Sequence, residues 1–305
     1  MAKALSVIIP SRNELKNLLW TLQGLQLELS GTDSEVIVVL NQCDQSETER
    51  LSKFWPAKTG WLKILQYDEK PSCWQARNAG AERAEGKYLL FLDSHVMPKP
   101  GAFVGALEYH RCFTGVLHFG VNYWLEHPVR TLYQYKWQPH KFWGSWTRRK
   151  PDSPDYRILM SGMTGAMVDK MAFENIGGFH PALGIYGGGE PYLDLKSQMF
   201  GYEARCNPAF QMYHLTERRG YAWNNDDLWR NFMIAAWALG GEYALAPLYA
   251  NYVRCSKGVP RYLERLEELK VEAIDLAEID RLDTMRLAKH TLTDVLNRHF
   301  KETER

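Results

Sequence analysis

Cysteine is scarce and scattered in this chain: Cys43, Cys73, Cys112, Cys206 and Cys255 are odd in number and never spaced as C-x-x-C. That pattern argues against both a disulfide framework and a zinc knuckle, and for reduced thiols. Net charge is almost nil, +1 over 305 residues, so no global field attracts a polyanion, although a local cluster still can. Long apolar runs are missing too. The longest region, Phe232 to Tyr252, is interrupted by Gly240, Gly241, Glu242 and Pro247 and falls short of an unbroken membrane span. It reads as a core helix followed by an extended segment. Leu5 to Ile9 is too short for a signal-peptide core and Pro10 stops it, so the expected location is the cytoplasm. No G-x-G-x-x-G follows this first apolar run and no G-x-S-x-G occurs, which disfavours a dinucleotide oxidoreductase and a hydrolase built on a nucleophile elbow. Internal repeats and low-complexity stretches are likewise lacking.

What is present is enough apolar sequence, 45%, to bury a large core. Leu5 to Ile9, Glu35 to Leu40, Ile64 to Tyr67 and Lys87 to Leu92 are short apolar runs, separated by helical spacings such as Leu15, Leu18, Leu19, Leu22 and Leu25. The rhythm is β-α-β-α-β-α-β. It predicts an α/β fold with a mixed, mainly parallel sheet flanked by helices, and a ligand crevice at the carboxyl ends of the strands. Beyond residue 100, Val116 to Tyr123 reads as a strand and Pro128 to Pro154 as a long, partly irregular excursion. Gly165 to Ile176 gives a strand and a helix, Gly187 to Phe200 a helix, and Phe210 to His214 a strand. From Arg261 onward, Leu263, Leu266, Leu269, Ala273 and Leu276 recur at helical intervals, predicting a C-terminal extension of one or two amphipathic helices that packs on the main domain or on a second subunit. The expected division is a main domain over residues 1–255, in halves of 1–100 and 101–255, and a helical extension over 256–305.

The chemistry concentrates at Tyr88-Leu-Leu-Phe-Leu-Asp-Ser-His95, where a buried strand ends in Asp93 and His95, two metal-capable side chains. Extended backbone puts both on one side, facing one cation. On a bare D-x-H, a polar turn after a strand is the commoner outcome. Here other segments fall in order around it: Ser6-Val-Ile-Ile-Pro-Ser-Arg-Asn-Glu14, Glu35-Val-Ile-Val-Val39 and Ala76-Arg-Asn-Ala-Gly80. The set resembles a GT-A fold glycosyltransferase, family 2-like. Gly162-Met-Thr-Gly-Ala-Met167, Ile176-Gly-Gly-Phe179, Tyr186-Gly-Gly-Gly-Glu190 and a lone His214 resemble the polypeptide N-acetylgalactosaminyltransferases. The resemblance covers about residues 4 to 230, and it assigns nucleotide binding to the half 1–100 and acceptor and metal binding to the half 101–255.

It implies a metal-dependent transfer of sugar from a nucleotide-sugar donor, UDP above all, with Asp93, His95 and His214 holding the ion. Carboxylate and imidazole ligation suits Mn²⁺ better than Mg²⁺. The loop from Pro10 through Arg12 to Glu14 would grip the nucleotide through backbone N–H groups and the guanidinium, or be an ordinary capped turn. Arg77 and Asn78 would face ribose or base, with surface solvation as the alternative, and Ser94 would join the donor site. Leu40 stands where the family often carries a uracil-reading aspartate, so Asn41 or Asp44 would take that role. Glu190 and Asp194 are the candidate general bases, and Gly188 and Glu190 would face the acceptor; the macrodipole of a following helix explains Glu190 equally. Because Pro191 replaces the acidic residue of inverting members, retention is favoured over inversion. Arg218, Arg219 and Tyr221 would form a loop that closes over the diphosphate.

Between His127 and Pro151 lie Arg130, Lys136, Lys141, Arg148, Arg149 and Lys150, interleaved with Tyr133, Tyr135, Trp137, Phe142, Trp143 and Trp146 and with no acidic residue. Lys136, Trp137, Trp143 and Trp146 are taken as acceptor-binding. A saccharide or glycolipid precursor leads as acceptor, DNA carrying a hydroxylated base comes second because of this basic aromatic pattern, and a protein side chain is the third. Packing of tryptophans under a solvated loop is the plain alternative. A non-catalytic sugar-nucleotide or carbohydrate-binding module is the competing class.

Overall fold

The computed structural model describes residues 3–55, 60–123, 131–147, 155–215 and 221–303. Its first half follows the alternation of the sequence: β1 (Leu5–Ser11), α1 (Leu15–Glu28), β2 (Ser34–Asn41), α2 (Gln45–Phe54), β3 (Leu62–Tyr67), α3 (Cys73–Glu82) and β4 (Tyr88–Leu92). Then come β5 (Val96–Pro98), α4 (Ala102–Tyr109), β6 (Gly115–Tyr123), β7 (Thr131–Leu132), β8 (Gln134–Gln138), β9 (Trp143–Thr147), β10 (Tyr156–Arg157), β11 (Gly165–Asp169), α5 (Lys170–Asn175), α6 (Gly189–Met199) and β12 (Glu203–His214). Three helices close the chain: α7 (Asn225–Cys255), α8 (Pro260–Leu287) and α9 (Leu292–Thr303).

The main sheet runs β10-β12-β6-β11-β4-β1-β2-β3, with β5 pairing β12 and β7 pairing β6. β1, β2, β3 and β4 are mutually parallel, while β11 runs antiparallel between β4 and β6. Strands buried on both faces need apolar side chains at nearly every position, which is why β1, β2 and β4 are mostly apolar; the buried Ser6 of β1 and Glu35 of β2 satisfy each other, the hydroxyl donating to the carboxylate at 2.6 Å. Alternate residues serve two cores. Leu5, Val7, Ile9, Val36, Val38 and Leu90 pack with α1 and α4, whereas Ile8, Ile37, Val39, Leu89 and Phe91 pack with α3, α6 and α7. At ~1.5–3 kcal/mol per buried aliphatic side chain, this double alternation fixes the register of the sheet.

Two expectations change. Phe232 to Tyr252 is not a helix followed by extended chain; α7 runs through it with a break at Gly241 (φ 54°, ψ −140°), a conformation that glycine tolerates. Helix resumes past Pro247, because burial of Ala244, Leu245, Leu248 and Tyr252 outweighs the roughly 3 kcal/mol that an internal proline costs. Within the supposed irregular excursion, β8 and β9 form an ordered antiparallel hairpin, with Tyr135 opposite Trp146. Of the C-terminal helices, α8 contributes Leu266, Ala273 and Ala277, and α9 Leu292, Val295 and Leu296, to the same apolar core as the sheet. No helix among the described residues is long and apolar enough to cross a membrane.

Candidate functional site

The carboxyl ends of β1, β2 and β4 open on one cavity of about 390 Å³, within the size range of small-molecule sites. Asp93 leaves the end of β4, and Ser94 and His95 form a turn into β5 rather than the extended alternation expected from the sequence. The turn is fixed from below by α1, where the buried Thr21 hydroxyl donates to the Ser94 carbonyl at 3.0 Å and accepts from Val96 N–H at 3.0 Å. The distant His214 arrives through strand pairing, since Val96 of β5 stands opposite it on β12 and Leu215 N–H donates to the His95 carbonyl at 3.0 Å.

Asp93 Oδ2 lies 3.9 Å from His95 Nε2 and 3.7 Å from His214 Nε2. One ligand atom from each residue falls within 4.8 Å of the others. These separations are too long for hydrogen bonds but suit donors around one ion, since ligands about 2.1 Å from a metal lie roughly 3 to 4 Å apart. The donor set therefore fits a divalent cation. His95 Nδ1 lies 2.9 Å from Glu14 Oε2, which leaves Nε2 to face Asp93; Glu14 also accepts from the Ser94 hydroxyl. Burial raises the Asp93 carboxyl, but His214, Arg77 and His95 outweigh that effect and hold it well below the usual carboxylate range. It is a carboxylate at neutral pH.

Arg77 is buried and sits on this acid, not in open solvent: its Nη2 donates to Asp93 Oδ1 at 2.8 Å, and its guanidinium lies 5.1 Å from the Trp74 ring centroid. Trp74, one helical turn earlier on α3, donates to the Gly187 carbonyl at 3.1 Å and so ties α3 to the entry of α6. Arg12 follows β1 at the cavity edge, and its Nη1 is buried without a hydrogen-bond partner among the described residues. The turn after it passes through Asn13 at φ 54°, and the Asn13 side chain accepts from Asp44 N–H at 3.1 Å, linking this loop to the one after β2.

The opposite wall is aromatic. Tyr123, Tyr135, Trp143, Trp146, Tyr186 and Tyr221 line it, together with Glu190. Tyr135 meets Trp146 at 4.6 Å and Trp143 at 5.7 Å, both edge-on. Gly162 lets them close, because a Cβ there would fall 2.7 Å from Trp146 and 2.8 Å from the Tyr135 oxygen. Burial first, then the charge of Glu190, pushes the Tyr135 phenol well above its ordinary value, so it remains a donor.

Of the residues singled out by sequence, Pro10, Arg12, Glu14, Asn41, Arg77, Asp93, Ser94, His95, Trp143, Trp146, Glu190, His214 and Tyr221 share this cavity. Others do not. Asp194 is fully buried, 2.8 Å from His118 Nε2 and accepting from Ser161 N–H at 2.9 Å, a structural pair away from the cavity lining. Asn78 holds the backbone of Phe179, donating to its carbonyl at 2.8 Å and accepting from its N–H at 3.0 Å. Asn41 reaches the cavity, but its amide is spent on Tyr67, Lys70 and Ser72. Lys136 is exposed and Trp137 packs on Phe142, 5.3 Å between rings. Gly188 caps α6 at φ 78°, with the Asn231 carbonyl 2.4 Å from where a Cβ would stand. Arg218 and Arg219, with Arg130, Arg148, Arg149 and Lys150, lie outside the described residues. Not assigned to the site from sequence were Trp74, Tyr123 and Tyr186; Tyr186 stood at the head of the motif that ends in Glu190, and Trp74 left a signal, since three residues before Arg77 on a helix is the same face.

Fold and site together have the architecture of GT-A glycosyltransferases. GalNAc-T7, solved with UDP, GalNAc and Mn²⁺, superposes with a TM-score of 0.67 at 16% identity, covering 92% of this chain and 57% of that one. TarS 1-349 of S. aureus, solved with UDP-GlcNAc, superposes with a TM-score of 0.59 at 16% identity, covering 90% and 81%. Among curated relatives, polypeptide N-acetylgalactosaminyltransferase 5 of Caenorhabditis elegans is 27% identical over 248 residues, 72% of this chain and 38% of the relative. Glycosyltransferase AglE of Haloferax volcanii is 30% identical over 93 residues, 30% of this chain and 31% of the relative. The chain thus spans less than two-fifths of the length of either. The family model for glycosyl transferase family 2 matches residues 6–177, and the chain belongs to that family.

Proposed function

We propose that this chain transfers a sugar from a UDP-sugar to a hydroxyl of a neutral saccharide, using a divalent cation, Mn²⁺ in preference to Mg²⁺. The observation that carries the metal half of this reading is the convergence of Asp93, His95 and His214 within 4.8 Å at the carboxyl end of β4. A bound cation supplies Lewis acidity, offsetting by several kcal/mol the charge that gathers on a departing diphosphate. The chain's own residues prepare the place for it. Arg77 keeps Asp93 ionised and aimed, Glu14 sets the tautomer of His95, and Arg12 offers a buried guanidinium N–H to phosphate oxygen. Relatives solved with UDP, UDP-GlcNAc and Mn²⁺ support the donor and the metal.

For the acceptor, the wall of Tyr135, Trp143 and Trp146 offers flat stacking surface, to which sugar rings are suited and which needs no charge. DNA is not favoured. Of the basic segment, Lys136 and Lys141 are exposed while Trp137 and Phe142 turn inward on each other, so stacking rings and cations do not interleave there. Retention is favoured over inversion on the motif alone, Pro191 standing where inverting members carry an acidic residue. Among the described residues Glu14, Asp93 and Glu190 line the cavity; Glu14 meets His95 and Asp93 meets Arg77, and in this reading Glu190, on the aromatic wall with Tyr135, orients the acceptor.

The test is a screen of nucleotide sugars with Mn²⁺ for donor hydrolysis, repeated with saccharide, glycolipid, DNA and peptide pools. Product formation with a saccharide and the anomeric configuration of the donor preserved is the expected result. Turnover on DNA that falls steeply with salt would replace this acceptor, and tight UDP-sugar binding without turnover on any pool would make the chain a binding module.

A further inference from the structure

Helix α8 changes its pattern midway. Its first half buries Leu266 and Leu269 and leaves Tyr262 and Val271 outside. From Leu276 on, the buried positions are Ala277 and Thr284, Asp280 turns in to Lys196 and Tyr192 of α6, and the large apolar residues face solvent: Leu276 43% exposed, Ile279 76%, Leu282 53%, Met285 65% and Leu287 56%. A helix packed only on its own domain shows the opposite arrangement. Single exposed apolar residues need no explanation, but five in twelve positions on one outward half make a patch that calls for a partner.

The polar residues amid the patch select that partner. At 3.6 residues per turn, Asp275, Ile279, Leu282 and Arg286 fall on one narrow line along the outward face. Asp275 stands four residues before Ile279, and Arg286 stands four after Leu282. An antiparallel copy of α8, related by a twofold axis midway between Ile279 and Leu282, therefore sets Ile279 against Leu282 and Asp275 against Arg286, each contact made twice. Leu276 and Leu287 would flank the seam on one side and Met285 on the other.

We propose that this chain pairs with a second copy of itself through the outward face of α8, antiparallel, with Asp275 and Arg286 fixing the register. The surface lies outside the lining of the donor cavity, so the proposal stands apart from the functional reading.

Sedimentation velocity from roughly 1 to 100 μM, the range in which modest interfaces assemble, tests it. The wild-type chain is expected to form a dimer that Ile279→Asp with Leu282→Asp abolishes. Asp275→Arg alone and Arg286→Asp alone, each setting like charges opposite one another, should weaken association about tenfold. Combined, the two reversals should restore it. All four positions are solvent-facing; Arg286→Asp also removes the 2.9 Å pair of Arg286 with Asp283 in its own helix, so helix content by circular dichroism is compared across the variants, and recovery in the double reversal demonstrates a folded chain directly. A wild-type monomer throughout the range, a dimer indifferent to the Ile279 and Leu282 changes, or a double reversal no better than either single one would overturn the proposal. So would binding of the monomer to anionic phospholipid vesicles that those changes abolish.

Discussion

The two sides of the cavity are built by different means. On the strand side, the groups that matter are charged and held by partners from other elements: Arg77 on Asp93, Glu14 on His95, the Thr21 hydroxyl beneath the turn between them. On the facing side, Tyr135, Trp143 and Trp146 are held by ring contacts, among themselves and from Trp143 to Phe232 of α7, and carry no charge. The first side is costly to perturb, since removing one member of a buried pair strands the other. The second can lose a ring without stranding a charge, at a packing cost of up to about 3–5 kcal/mol. On the proposed function, the charged face takes the donor and must be fixed because charge develops there, whereas the aromatic face takes the acceptor and sets specificity.

That contrast predicts a graded series. Asp93→Asn should have the largest effect, reducing turnover by roughly a thousandfold or more, because it removes a ligand from the centre of the charged side. The same change leaves the buried Arg77 without its carboxylate, so thermal unfolding should show a loss of about 1–3 kcal/mol, greater than an exposed acid would cause. Next, Glu14→Ala should weaken metal affinity by about 10- to 100-fold, measured by calorimetry with Mn²⁺ and UDP, and Glu14→Gln, which can still accept from His95 Nδ1, should recover most of it. Equal losses in the two variants would count against an orienting role. Glu190→Gln should lower turnover less than ~100-fold and leave the product anomer unchanged, since a general base would be worth more. Trp143→Ala or Trp146→Ala should have the smallest effect on turnover, raising KM for the saccharide about tenfold with donor hydrolysis nearly unaltered, while the lost packing lowers stability by up to about 3–5 kcal/mol. A comparable fall in donor hydrolysis would erase the distinction between the two sides.

The same contrast explains what could be read from sequence. β1, β2 and β4 announce themselves because strands buried on both faces must be mostly apolar, and polar residues at their ends stand out against that background. Asp93, His95 and Arg12 were legible for this reason. His214 was legible by resemblance alone, since its approach depends on the pairing of β5 with β12, a contact between residues far apart in the chain. Asp194 misled because a carboxylate one turn into a helix looks alike whether it faces a cavity or a buried His118. Tyr123 and Tyr186 could not be distinguished from core tyrosines, as ring packing leaves no periodic trace. The helical continuation past Pro247 depended on burial that no local propensity records.

The central claim is that Asp93, His95 and His214 hold one divalent cation. Electron paramagnetic resonance of Mn²⁺ titrated into the chain with UDP tests it most directly. One bound ion per chain, lost or greatly weakened in Asp93→Asn, His95→Ala and His214→Ala alike, is the predicted result; stoichiometric Mn²⁺ binding of unchanged affinity in all three variants would contradict it.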